Sequence, residues 1–136
     1  MRYPDSCVPI DNIIGMPAPG WDADDDWCFS ALVRVEVRRT FHGMRAEGVL
    51  TGLEYADAID ALLDLERSAL VLLITEEVLQ RASGPFAAPI RTLDAIHLAS
   101  AMILRERRHP DLVFATHDRR LASAARAEGF SVAGVD

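Results

Sequence analysis

The sequence predicts an α/β fold, a three-layer α/β/α sandwich around a central parallel sheet. Three observations carry that expectation. Two short apolar runs, ALVLLI at 69–74 and LVFA at 112–115, lack the polar alternation of a half-solvated strand. Segments with helical spacing of apolar residues separate them, and strands that alternate with helices imply crossovers covering both sheet faces. The length of 136 residues suits one domain, with no internal repeat and no composition boundary inside 1–136.

Arg2–Cys7 reads as a short first strand, although Pro4 removes a ladder donor and is unwelcome in a central strand. From Pro9 to Asp26 the chain carries Pro9, Gly15, Pro17, Pro19, Gly20 and an acidic run, with no helical stripe. Ser30 is a candidate cap for a helix to about Met44, with Val33, Val37, Phe41 and Met44 on one stripe. The alternation in VRVEVR leaves a strand open there. Thr51 and Glu54 have capping-box spacing, ahead of a helix to about Arg67 that faces inward through Tyr55, Ile59, Leu62 and Leu63.

ALVLLI then reads as a buried strand, and Thr75 caps a two-turn helix that Gly84 and Pro85 end. Thr92 is expected to cap the strongest helix, LDAIHLASAMILRERR, with Leu93, Ile96, Ser100, Ile103 and Leu104 inward. Leu112–Ala115 is a second buried strand. Asp118–Glu128 is a helix closed near Gly129, and Phe130–Val135 a third strand.

Composition narrows the function classes. A net charge of −7 argues against holding nucleic acid through a basic surface, but not against acids that hold cations which in turn hold phosphate. All 14 basic side chains are Arg. Without Lys there is no P-loop, Schiff-base or kinase-type phosphoryl chemistry. The same absence argues against a receiver-type signalling domain. Cys7 and Cys28 form neither a disulfide framework nor a metal-ligand pair. No secretory pattern and no run of membrane-spanning length is seen, which predicts a cytoplasmic protein.

In a parallel α/β sheet the site lies beyond the carboxyl ends of the strands. Four acids from separate elements are candidates there. Asp5 follows the first strand, Glu36 lies early in the Ser30 helix, Asp94 sits in the first turn of the strongest helix, and Asp118 follows LVFA. Adjacent carboxylates repel, and divalent cations such as Mg²⁺ or Mn²⁺ resolve that repulsion while activating water against a phosphodiester.

RTLDAIHLASAMIL, followed by LVFATHDRRLASAARAEGFSV, resembles the C-terminal half of PIN-domain ribonucleases, and among them VapC, the toxin of bacterial type II toxin–antitoxin modules. SALVRVEVRR is similar to the family's second acidic motif, carrying Glu36, which favours helix there. YPDS at 3–6 is a degraded match to the first motif, carrying Asp5. The resemblance implies a PIN-like domain and Mg²⁺- or Mn²⁺-dependent endoribonuclease activity. It also implies Asp5, Glu36, Asp94 and Asp118 as the catalytic, metal-holding set, a VapB-like antitoxin, a homodimer joined through helices, and an RNA substrate.

Residues 1–29 depart from the family: Pro4 replaces an aliphatic residue, and Cys7, Val8 and Pro9 stand where a helix usually begins Ser-Ala-Leu. A catalytically inactive PIN-like binding module is therefore the alternative reading.

Each residue also has a plainer role. Asp94 suits a first helical turn, Asp118 suits a cap, and Glu36 between Arg34 and Arg38 suits a solvated ion pair. His97 is expected to be a partly buried structural histidine, and His117 to point away from Asp118. Ser6 and Thr116 are secondary candidates for hydrogen bonding to the acids. Arg34, Arg38, Arg119 and Arg120 are surface charges that RNA phosphate would suit. The run Asp22, Asp24, Asp25, Asp26 reads as a solvated loop flanked by Trp21 and Trp27.

Overall fold

In the computed structural model, residues 1–135 are described. The first strand β1 (Arg2–Pro4) leads to helix α1 (Cys7–Ile13), then β2 (Cys28–Ser30), α2 (Leu32–Ala46) and α3 (Gly52–Ser68). After them come β3 (Leu70–Leu72), α4 (Glu76–Ala82), α5 (Thr92–Arg107), β4 (Val113–Ala115), α6 (Arg119–Ala127) and β5 (Ser131–Ala133). All strand pairs are parallel. The ladders β1-β4-β5 and β2-β3 are joined by a parallel bridge between Arg2 and Trp27, so the strand order is 3-2-1-4-5. Among the described residues, no helix is long and apolar enough to cross a membrane.

The pleat sorts side chains into two cores. Tyr3, Cys28 and Phe114 pack on one face with Leu98, Met102 and Leu104 of α5 and Leu121 of α6. On the other face, Phe29 packs with Val33, Val37 and Phe41 of α2 and Leu62 of α3. Val8 of α1, Trp27 and Ala115 form a third apolar cluster. Neighbouring residues Phe114 and Ala115 thus serve different clusters, as a period of two requires.

Local chemistry explains the helix ends. Thr51 and Glu54 make a reciprocal capping box on α3, Thr75 accepts from the Val78 amide to cap α4, and Asp118 caps α6. Gly129 follows α6 with φ at 86°, a conformation that favours glycine.

Several expectations need correction. The Pro9–Asp26 stretch is not wholly irregular, because α1 covers Cys7–Ile13. Pro9 falls in its first turn, where no backbone donor is needed, and seven residues are too few to print a stripe. Ser30 ends β2 instead of capping from a loop, yet its hydroxyl still accepts from the Leu32 amide at 3.1 Å. Arg91, not Thr92, is the N-cap of α5, and no side chain caps it. Leu93, expected inward, is exposed.

ALVLLI was expected to be buried, but β3 is an edge strand with Leu70, Leu73 and Ile74 exposed. Ala69, Val71 and Leu72 are the residues of this run that pack against the cores. A uniformly apolar run does not say whether its strand has one neighbour or two.

Pro4 does sit in a central strand, and the hydrogen bonds show why it is tolerated. Met1 O accepts from the Val113 amide and the Asp5 amide donates to Ala115 O, so alternate backbone groups face β4. The Arg2 amide instead donates to Asp26 O, towards β2. Pro4 shares the phase of Arg2, so its missing N–H faces the side where pairing is confined to the Arg2 bridge.

Gly134 offers a sharp test of this packing. Its φ is 101°, and a Cβ there would lie 2.5 Å from the carbonyl oxygen of Thr116. Gly134→Ala should cost about 2 kcal/mol or more in urea unfolding, from backbone strain and this clash. A stability equal to the wild type would show that the β5 terminus is not held against Thr116 as described.

Candidate active site

Asp5 leaves the carboxyl end of β1 and is buried at 6% exposure. Thr116, one residue past β4, donates its hydroxyl to Asp5 Oδ2 at 2.6 Å. The Cys7 amide and thiol both donate to Oδ1, at 3.1 and 2.7 Å. The Cys7 sulfur in turn accepts from the His117 amide at 3.1 Å. Burial, as the largest influence, pushes the Asp5 carboxyl up, and the Cys7 and Thr116 donors pull it part of the way back. Burial, followed by the charge of Asp5, pushes the Cys7 thiol upward, so it serves as an S–H donor and not as a thiolate.

Thr116 also accepts from the Asp118 amide at 3.0 Å, so one hydroxyl joins the two acids. Asp118 caps α6 through Oδ1, which accepts from the amides of Arg120 at 2.7 Å and Leu121 at 3.1 Å. Its Oδ2 is left for Arg91, whose Nη2 lies 3.2 Å away. The same guanidinium reaches Asp94 Oδ2 through Nε at 3.4 Å. One cation is therefore shared by carboxylates from two elements.

Glu36 comes from α2, and its Oε2 lies 2.7 Å from His97 Nε2. Glu36, Arg91, Thr92, Leu93 and Asp94 line a cavity of about 450 Å³. Thr116 thus ties the Asp5 carboxyl to the Asp118 backbone, Arg91 ties the Asp118 and Asp94 carboxyls, and Asp94 and Glu36 line one cavity. Among the described residues, no three His, Cys, Asp or Glu side chains are gathered closely enough to hold a metal ion.

The donor set nevertheless fits a hard divalent cation. Mg²⁺ keeps most of its waters and binds through one or two carboxylates, so paired acids suffice and a closed cage is not required. The Arg91 guanidinium, held between Asp94 and Asp118, marks where positive charge is favourable.

The secondary residues sort cleanly. His97 is buried, fully and not partly as expected, with its ring nitrogens on Glu36 and Tyr3. His117 turns away from the acids, with Nδ1 on Asp11 at 2.8 Å and Nε2 donating to Pro19 O at 2.9 Å. Ser6 makes no side-chain cap bond. Arg34 and Arg38 both pair with Glu66, at 3.5 and 2.7 Å, whereas Arg119 and Arg120 are exposed.

In the acidic loop, Asp25 pairs with Arg2. Trp21 stacks on Trp27 with centroids 4.2 Å apart. Sequence reasoning missed Arg91 and Cys7. The i,i+3 spacing of Arg91 and Asp94 was a usable signal; the Cys7 contact depends on the turn after β1 and had none.

The PIN domain family matches residues 3–127. Ribonuclease VapC45 of Mycobacterium tuberculosis (strain CDC 1551 / Oshkosh) is 36% identical over 114 residues, covering 83% of this chain and 77% of that protein. Ribonuclease VapC46 of Mycobacterium tuberculosis (strain ATCC 25618 / H37Rv) is 34% identical, covering 76% of this chain and 91% of that protein. Among solved structures, the crystal structure of FitAcB from Neisseria gonorrhoeae superposes with a TM-score of 0.60 at 19% identity, covering 97% of this chain and 96% of that chain. At that identity the superposition speaks to the fold alone.

Asp5 should leave a pH signature in stability. Its folded-state pKa lies above the unfolded one, so folding is favoured in acid and that benefit is lost as pH rises through the folded value. Asp5→Asn has the shape of the protonated acid. In metal-free buffer it should raise the melting temperature at neutral pH and change it little in acid below the ordinary carboxylate range. Melting curves across pH test this, and a variant less stable than the wild type at neutral pH would contradict it.

Proposed function

The chain belongs to the PIN-domain family, and from that premise we propose that it is an Mg²⁺- or Mn²⁺-dependent endoribonuclease acting as the toxin of a type II toxin–antitoxin pair. The observation that carries this reading is the guanidinium shared by Asp94 and Asp118 at the carboxyl edge of the sheet. Names of the curated relatives support the ribonuclease assignment. Asp5, Glu36, Asp94 and Asp118 are the residues that hold the cation. When bound, such an ion lowers the pKa of water and neutralises the charge that builds on a phosphodiester.

The chain's own residues then have distinct tasks. Asp118 offers one oxygen to the site while the other keeps α6 capped, so its direction is set by the helix. Asp94 projects from the first turn of α5, beside the exposed Arg91. Arg91 holds the two acids together, and where Asp94 and Asp118 would hold a cation its guanidinium would be free to contact RNA phosphate. Asp5 is held by Thr116 and Cys7 in a buried position, which favours the active reading over an inactive module with a degraded first motif.

The reading includes two protein partners, a second copy of the chain and a VapB-like antitoxin. Exposed apolar side chains at Leu70, Leu73 and Ile74 support a partner surface. The place of Arg91 supports inhibition by an antitoxin arginine laid between Asp94 and Asp118. The site of action is the cytoplasm, where RNA is met.

The test is RNA cleavage by the purified chain with Mg²⁺ or Mn²⁺, with and without chelator. Asp94→Asn and Asp118→Asn should each cut the rate by more than about 100-fold, since even residues behind a metal's ligands cost 10- to 100-fold. Asn is also a good N-cap, so Asp118→Asn keeps α6 and isolates the charge. Full activity in either folded variant, or cleavage that survives chelation, would overturn the proposal.

A further inference from the structure

His97 is buried at 1% exposure, yet both ring nitrogens face polar groups. Nε2 meets Glu36 Oε2 at 2.7 Å, and Nδ1 meets the Tyr3 hydroxyl at 3.4 Å. A carboxylate only accepts, so Nε2 carries a hydrogen and donates it. In the neutral ring Nδ1 is then an acceptor, and the phenol opposite is able to donate. The rings of Tyr3 and His97 meet edge to face with centroids 6.3 Å apart.

The three residues in this line come from three elements, each of which carries a site acid or leads directly into one. Tyr3 lies on β1 two residues before Asp5 and on the same side of the pleat. His97 lies on α5 one turn after Asp94. Glu36 is itself the acid of α2. A hydrogen bond between a buried ring and a carboxylate is strong and directional, and it fixes which Glu36 oxygen remains for the cavity shared with Asp94.

We propose that His97 is a positioning residue for the cation site: its Nε2–H orients Glu36 and, with Tyr3 behind it, sets the spacing of the acids on β1, α2 and α5. This rests on the metal-dependent reading above. It assigns His97 no contact with substrate or cation.

The experiment measures Mn²⁺ binding to the metal-free protein from the electron paramagnetic resonance signal of free Mn²⁺, alongside melting curves. His97→Leu fills the buried space but cannot donate. It should weaken Mn²⁺ binding about 10- to 100-fold, the usual loss when a ligand's supporting hydrogen bond is removed. His97→Gln, whose amide reaches Glu36, should bind within about threefold of the wild type, on the scale of a retained second partner. In a Glu36→Gln background, His97→Leu should cause no further loss.

Should His97→Leu fail to fold, His97→Asn serves in its place, because its shorter amide falls short of Glu36. Binding by Leu or Asn variants equal to wild type would overturn this inference alone. So would a full loss that persists without the Glu36 carboxylate, or a Gln variant no better than Leu. Absence of Mn²⁺ binding by the wild type would overturn the metal-dependent reading and this inference together.

Discussion

The structure depends on a three-residue strand. β1 is inserted between β2 and β4, and among the described residues the two ladders of the sheet meet through it. On its β2 side it has a backbone bridge from Arg2 to Trp27, the Cys28 thiol on the Arg2 carbonyl at 3.6 Å and the packing of Tyr3 with Cys28, while the Arg2 guanidinium holds the loop before β2 through Asp25 and the Gly20 carbonyl. Its hold on β4 is fuller and runs to the Asp5 amide. That last bond matters most, because it delivers Asp5 to the edge where Thr116 and Asp118 arrive from the neighbouring strand. A parallel sheet brings every strand end to one side, so pairing and site assembly are one event.

The site persists without a closed cage because each acid has its own compensation. Asp5 receives three donors, Asp118 receives the first amides of α6, Glu36 receives His97, and Arg91 spans Asp94 and Asp118. Four bare carboxylates at one edge would raise each other's pKa and push the loops apart. The exposed Arg91 contacts contribute little to folding, since surface ion pairs are screened and cost side-chain freedom. In the proposed function their interest lies in exchange, with the weakly held guanidinium yielding to another cation or turning towards phosphate.

Which parts were legible in the sequence follows from how local their causes are. The capping box at Thr51 and Glu54, the caps at Thr75 and Asp118, and the glycine after α6 are short-range hydrogen bonds or single-residue conformations. They were read correctly from spacing alone. α1 was not, because a seven-residue helix with proline in its first turn has almost no periodicity to detect. β3 was identified as a strand but assigned the wrong burial, and Thr92 the wrong place in its helix.

By itself the sequence determined the fold class, through strand and helix alternation, and the chemistry available, through abundant acids and a complete lack of lysine. It also placed Asp5 and Asp118 just after strands and Glu36 and Asp94 early in helices. Only the tertiary structure decided how those acids are paired, which is a matter of strand order. Thr116 joins Asp5 to Asp118 because β1 lies beside β4, and His97 of α5 reaches Glu36 of α2, a contact between distant elements. The partners of the Glu36–His97 and Asp5–Thr116 bonds lie 61 and 111 positions apart, and no local pattern encodes such distances. Strand neighbours also decided that ALVLLI overhangs an edge, since one apolar run is equally consistent with one neighbour or two.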